Sequence, residues 1–337
     1  MAWDWARNCG TRCGWIWLVL LGVAAAYPQT CQSGTDMDAA VRAALEATAK
    51  RYFEMTARGD SAALQQNSIA SVAANFSGIE TAVKDNQAAF AGAHAAVRPP
   101  FLLTVEGNAP LERAEFLCGV FGKSGQTADS TVFVLHNLPP GKYGLAIIDA
   151  QGSQNARTLT LILQQVGADW KLGGFYAKQM QLNGHDGAWF AQRARDFKAK
   201  GQNRNAWLYF REASALSAPV DFMSTLATDK LYDEMQAELA GDLPIAGKTV
   251  DLTSGTKTYR LTDIFPLAVG QDLDVVAKYQ AADVSNTAQT YQENMVVTKA
   301  LVARFPEFRD AFAGVVVRAV EPSGRDYGSL MAMKDVK

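Results

Sequence analysis

Residues 158–176 read TLTLILQQVGADWKLGGFY. Two apolar runs, Thr158 to Val166 and Trp170 to Tyr176, flank Gly167-Ala168-Asp169, and runs of this length broken by turn residues predict two strands joined by a turn. Upstream, the same reading predicts strands at Phe101 to Glu106, Ala114 to Phe121, Thr131 to Leu135 and Tyr143 to Asp149, with Gly, Pro, Asn, Asp and Ser in the breaks. Before Pro99-Pro100 the period is helical. From Asp36, the residues Val41, Leu45, Thr48, Tyr52 and Met55 recur at alternating spacings of four and three, one face of a helix that Gly59 ends. A short helical piece follows from about Ser61, and Ile79, Val83 and Phe90 mark another amphipathic helix that stops before Pro99-Pro100. Helices first and then a meander of strands predict an α+β domain, with helices packed on one face of an antiparallel sheet.

This order, over residues 36–182, resembles the NTF2-like superfamily. Its closing Gly167-Ala168-Asp169-Trp170-Lys171-Leu172-Gly173-Gly174-Phe175-Tyr176 is similar to the turn and last strand common in secreted members. The resemblance implies helices closing over a curved sheet to form a cone with a pocket; it implies no single chemistry, since members include enzymes, ligand binders and structural domains. Family enzymes such as the ketosteroid isomerases use a pocket carboxylate as base and a Tyr or acid as hydrogen-bond donor, and no carboxylate here matches that base. Tyr52, His94, His136 and Tyr176 are the candidate pocket residues, with Tyr143 in the same sheet region. Tyr52 and His94 also read as core residues with one satisfied polar atom.

From His185 the helical period returns. Phe190, Ala194, Phe197, Gly201, Ala206, Phe210 and Ala213 fall at the spacings of a tetratricopeptide repeat, in which small residues let two antiparallel helices approach and aromatics fill between them. Phe222 to Leu239 reads as one more helix. A peptide groove takes about three stacked repeats, so a lone hairpin within residues 185–240 reads as a bracket between domains. Asp242 to Gly247 reads as a linker. Beyond it, residues 248–337 predict a small two-layer α+β domain: two short strands joined through Ser254-Gly255, a strand from Asp272 to Ala281, a helix with the stripe Tyr291, Met295, Thr298, Val302 and Phe305 that Pro306 interrupts, and a hairpin about Pro322-Ser323-Gly324.

Arg7 and Arg12, the apolar run Trp15 to Ala26 and the pair Ala24 and Ala26 are the three parts of a secretory signal peptide over residues 1–26. The run is about a dozen residues, where a membrane-crossing helix takes roughly 20; no later stretch is long and apolar enough, so no membrane span is expected after cleavage. The mature chain keeps Cys31 and Cys118. An oxidising compartment permits them to pair, but the apolar run around Cys118 favours a small buried hydrophobe over a bridge.

Apolar residues make up 48% of the 337 and charged ones 20%, which excludes a disordered or fibrous chain. A net charge of -2 without a basic block sets nucleic acid aside. Gly122-Lys123-Ser124 lacks the P-loop glycine, since Leu117 stands in its place. The three histidines sit at no metal-ligand spacing, and no G-x-S-x-G occurs. Arg58-Gly59-Asp60 and Asn75-Phe76-Ser77 spell an adhesion tripeptide and a glycosylation acceptor, the first at a helix end where Gly is a terminator. The expectation is an exported, periplasmic or extracellular, non-enzymatic binding or scaffold protein of the cell envelope. It would need no cofactor or metal and would meet a small apolar ligand or a protein partner. The alternatives are a pocket enzyme of isomerase or hydratase type and a structural periplasmic subunit.

Overall fold

The computed structural model describes residues 29–152, 156–238, 241–245 and 247–337; the expected signal peptide lies outside them. The chain is α+β, built on curved antiparallel sheets. A short strand β1 (Gln29–Ser33) precedes four helices: α1 (Ala39–Arg58), α2 (Ser61–Gln66), α3 (Ala70–Ala74) and α4 (Ser77–Phe90). Asp38 caps α1 by accepting the Ala40 and Val41 N–H groups, and Asp60 caps α2 through Ala63 N–H. Arg58-Gly59-Asp60 is therefore the joint between two helices. Beyond α4 the structure departs from the expected helix up to Pro99. Gly92 at φ +78° turns the chain out of helical space, and His94–Val97 forms a strand, β2. His94 is thus not on a helix face.

Six strands follow: β3 (Phe101–Val105), β4 (Leu111–Gly122), β5 (Gly125–Leu138), β6 (Gly141–Gln151), β7 (Arg157–Val166) and β8 (Asp169–Gln179). They do not form the expected meander. The first sheet runs β1-β3-β6-β7-β8 with β2 also on β6, whereas β4 and β5 leave it as a long hairpin in a second, three-stranded sheet. The cause is burial on both faces. Residues 143–148 of β6 and 158–163 of β7 are all buried. Ala146, Ile148, Leu159 and Leu161 pack under Leu45, Tyr52, Phe53 and Phe90 of the helices. Leu145, Ile147 and Ile162 face the other way, onto Phe116 and Phe133 of the β4–β5 hairpin. Runs without a charged residue suit strands buried on both faces, and on β7 the Thr158 and Thr160 hydroxyls are buried with no hydrogen-bond partner among the described residues. Cys31 and Cys118 form a disulfide that ties β1 of one sheet to β4 of the other; Cys118 is buried as expected, but it is bridged, against the expectation of an unpaired small hydrophobe.

Strands β9 (Gln181–Leu182) and β10 (His185–Asp186) lead to the helical hairpin α5 (Gly187–Ala199) and α6 (Asn203–Ser217). Phe190, Ala194, Phe197, Ala206, Phe210 and Ala213 are all buried in it. The helix expected from Phe222 begins only at Leu226. Met223–Thr225 is instead a strand, β11, paired with β5, and the Thr225 and Thr228 side chains cap the start of α7 (Leu226–Ala237). The C-terminal sheet has the order β12 (Val250–Ser254), β13 (Lys257–Val269), β14 (Asp272–Gln280), β15 (Gly314–Val320), β16 (Asp326–Ala332). Its single parallel pair, β14 with β15, is bridged by α8 (Thr287–Arg304) and α9 (Phe308–Ala311), which flank the interruption at Pro306.

The segment expected as a linker is not an exposed connector, since Leu243 and Pro244 are buried. Hairpin and C-terminal sheet share one core, in which Phe197, Tyr209 and Phe210 pack with Leu243, Ile264, Phe305, Phe308 and Phe312. Arg204 stitches the parts. It donates to Asp242 at 2.6 Å and Glu307 at 2.7 Å and lies 5.0 Å from the Phe305 ring centre. Among the described residues, no helix is long and apolar enough to cross a membrane.

Replacing both Cys31 and Cys118 by Ala lowers unfolding stability by about 2–4 kcal/mol, the range for a bridge closing a long loop, as read by urea denaturation of the two proteins without reductant. The Arg204 hydrogen bond holds the Asp242 carboxyl below its ordinary range. That stabilisation is therefore complete above the unfolded-state value near 4 and is lost as pH falls through the lower folded value. Arg204→Gln costs about 1–2 kcal/mol at pH 7, allowing for the pair's partial exposure. The deficit shrinks at pH 3, and an equal deficit at both pH values would contradict the assignment.

Candidate functional site

The four sequence candidates separate in space. Tyr52 is wholly buried between helices and sheet, and its hydroxyl donates to the Trp170 carbonyl at 3.0 Å, with the Asn67 carbonyl also at 3.1 Å. It pins α1 to the start of β8 and to the α2–α3 connection, and burial raises its pKa. His94 is exposed at the start of β2, opposite Gln151. His136 and Tyr176, 40 residues apart in sequence, meet in one cleft.

That cleft has a volume of about 500 Å³ and lies between the end of β5 and the face of β8 turned away from the helices. Ile162 and Tyr143 form its floor, His136 to Pro139 one wall, and Ile69 and Ser71 the rim. Local sequence builds it. β5 runs on past Leu135 to a turn in which Asn137 takes φ +52° before Pro139-Pro140, and the Tyr143 hydroxyl donates to the Pro139 carbonyl at 2.8 Å, fixing that turn against β6. On β8, the pairing shifts register between Ile162 and Leu163, leaving Gly173 as the extra residue of a bulge. A Cβ on Gly174 would stand 3.1 Å from the Tyr176 ring and 3.2 Å from Ile162. The Gly173-Gly174 pair thus lets Tyr176 lie where it does.

Tyr176 is 41% exposed and meets Phe222 edge to face, with ring centres 5.2 Å apart. Burial of the hydroxyl end raises its pKa, as it does for Tyr143, so both stay neutral hydrogen-bonding groups at ordinary pH. Among the described residues, the Tyr176 hydroxyl, the Gln164 amide and the His136 ring have no protein hydrogen-bond partner. The lining contains no Asp, Glu, Lys or Arg. A base needs an orienting partner within hydrogen-bond reach, and His136 has none here. The cleft offers ring surfaces and hydrogen-bonding groups without an Asp, Glu, Lys or Arg side chain. Phe222 was missed by sequence reasoning because its neighbours read as the start of a helix, and Gln164 because a lone amide carries no motif.

A larger cleft of about 800 Å³ opens between the sandwich and the starts of α5 and α7. Arg98 pairs with Asp149 through both carboxylate oxygens, at 2.7 and 2.9 Å, while Arg157 donates to Asn86 at 2.6 Å and its Nε is buried without a partner. Asp149 and Asp186 balance the two arginines there. No group of three or more His, Cys, Asp or Glu among the described residues could hold a metal ion. The Gly119–Ser124 segment lies at the tip of the β4–β5 hairpin, and Asn75 is exposed at the end of α3, donating to the Ser71 carbonyl. Comparison of the chain with known protein families, curated proteins and solved structures finds no match.

Because Tyr52 serves as a pin rather than a lining residue, Tyr52→Phe lowers stability by about 1 kcal/mol through the lost buried hydrogen bond, as measured by denaturant unfolding.

Proposed function

We propose that this chain is an exported, non-enzymatic binding protein of the cell envelope, with an NTF2-like N-terminal body that holds a small apolar ligand. The observation that carries the reading is the cleft of about 500 Å³ in which Tyr176, Tyr143, Phe222 and Ile162 surround unpartnered polar ends of Gln164 and His136. Mostly apolar concave sites of roughly 300–1,000 Å³ with a few convergent polar groups are the usual form of small-molecule sites. Export is supported by the N-terminal Arg7 to Ala26 pattern and by the Cys31–Cys118 disulfide, a bond that persists in oxidising compartments. The NTF2-like assignment draws on the helices layered over one face of the curved first sheet.

A second reading, a structural subunit, draws on a different observation. The interface between helices and sheet, where the resemblance implies a pocket, is occupied by Leu45, Tyr52, Phe53, Leu64 and Phe90. The ligand cleft of the first reading lies on the opposite face of the sheet.

Native mass spectrometry of the protein from Tyr27 onward, purified gently after export from its own host, separates the two. The binding reading expects a retained small-molecule mass that disappears in Tyr176→Ala. A bare monomer in both proteins overturns it and favours the structural subunit.

A further inference from the structure

The wall of the cleft facing Tyr176 does not come from the sandwich. Phe222 follows α6, in a segment that leaves the helical body, crosses to β5 and returns as α7. This crossing is held as a latch. Met223, Ser224 and Thr225 pair with Phe133, Val132 and Thr131, and Val134 N–H donates to the Phe222 carbonyl at 2.9 Å. Gln126 donates to Ser224 Oγ at 3.2 Å, and Lys178 pairs with Asp221 at 2.9 Å. The far side of β11 is closed by its own chain, since Thr225 N–H donates to Thr228 Oγ1 and the Thr225 carbonyl accepts from the same hydroxyl. The strand joins two bodies and offers little edge to a third.

The lining also limits what can enter. An ionised ligand would lose its water with no Asp, Glu, Lys or Arg to replace it, a cost that a neutral ligand avoids. Tyr143, Tyr176 and Phe222 offer ring faces and edges, which favour another ring in offset or edge-to-face contact. We propose that the cleft takes an uncharged, flat aromatic ligand that packs against both Tyr176 of β8 and Phe222 of the latch, whose rings already meet edge to face, so that occupancy strengthens the β11–β5 pairing that joins the two bodies. The proposal rests on the binding reading above. Its physical basis is linkage: a ligand that touches both bodies binds the docked arrangement better than an undocked one and stabilises docking by that difference.

The test uses the disulfide-intact protein from Tyr27 onward and two fluorescent probes, uncharged N-phenyl-1-naphthylamine and its sulfonated counterpart 8-anilinonaphthalene-1-sulfonate, with amide hydrogen exchange read over residues 131–134 and 222–225. The neutral probe binds, and the sulfonate binds at least about tenfold more weakly. Tyr176→Ala and Phe222→Ala each weaken the neutral probe about tenfold. Phe222→Leu, which keeps apolar contact and guards against misfolding, gives an intermediate loss. Saturation with the neutral probe slows exchange in both segments of the parent protein. Equal affinity for the sulfonate overturns the uncharged class. Affinity that survives at Phe222→Ala but falls at Tyr176→Ala, or exchange that does not change on saturation, overturns the grip across the latch while leaving a binding cleft. Absence of binding by both probes, or binding indifferent to both residues, overturns this proposal and the binding reading together.

Discussion

β6 and β7 send apolar side chains to both faces of one sheet, and the N-terminal body is the consequence of having to cover both. Burying a Leu or Ile side chain is worth about 1.5–3 kcal/mol, and Leu145, Ala146, Ile147, Ile148, Leu159, Leu161 and Ile162 divide between the two sides. The four helices cover one face. They cannot reach the other, so the β4–β5 hairpin leaves the first sheet and folds over it, bringing Cys118 against Cys31. The cleft exists where this second cover ends. β5 runs past Leu135 into a turn held by Tyr143, and the bulge at Gly173 lets β8 curve away beneath it.

Much of this was legible in the sequence, and the reason some was not is specific. The stripe from Val41 to Met55 and the six runs between Phe101 and Tyr176 mark helices and strands because periodicity reports which side of an element is apolar. It does not report what covers that side. The continuous runs Tyr143 to Asp149 and Thr158 to Val166 carried the two-faced signal, but pairing β3 with β6 across the whole β4–β5 hairpin is a long-range choice that no local pattern encodes. His94 was misplaced because Gly92 ends the helix early. Tyr52 was correctly seen on an apolar face, and only the structure gives its hydroxyl two carbonyls. His136 and Tyr176 meet, yet Phe222 between them depends on a three-residue strand added from another body.

The α5–α6 hairpin acts as a joint. A lone pair of helices must bury its inner face on something. Here Tyr209 fills that role, with Phe190, Phe197 and Phe312 rings around it and its hydroxyl donating to the Ala311 carbonyl at 2.7 Å. Asn205 donates to the Glu307 carbonyl, and Arg204 reaches Asp242 and Glu307 from the same helix. The inner face of the hairpin is thus buried in the core it shares with the C-terminal sheet.

The chemistry of the Tyr176 cleft follows from what surrounds its polar groups. Burial raises the pKa of Tyr143 and Tyr176, so both hydroxyls stay protonated at ordinary pH. The Tyr143 hydroxyl donates to the Pro139 carbonyl and keeps only acceptor capacity, while the Tyr176 hydroxyl can donate or accept. Their rings are fixed by the Pro139 turn on one side and by Phe222 on the other, so little side-chain freedom remains to be lost on binding. Because one wall of this ring-lined cleft belongs to the latch, the cleft keeps its shape only while β11 stays paired with β5.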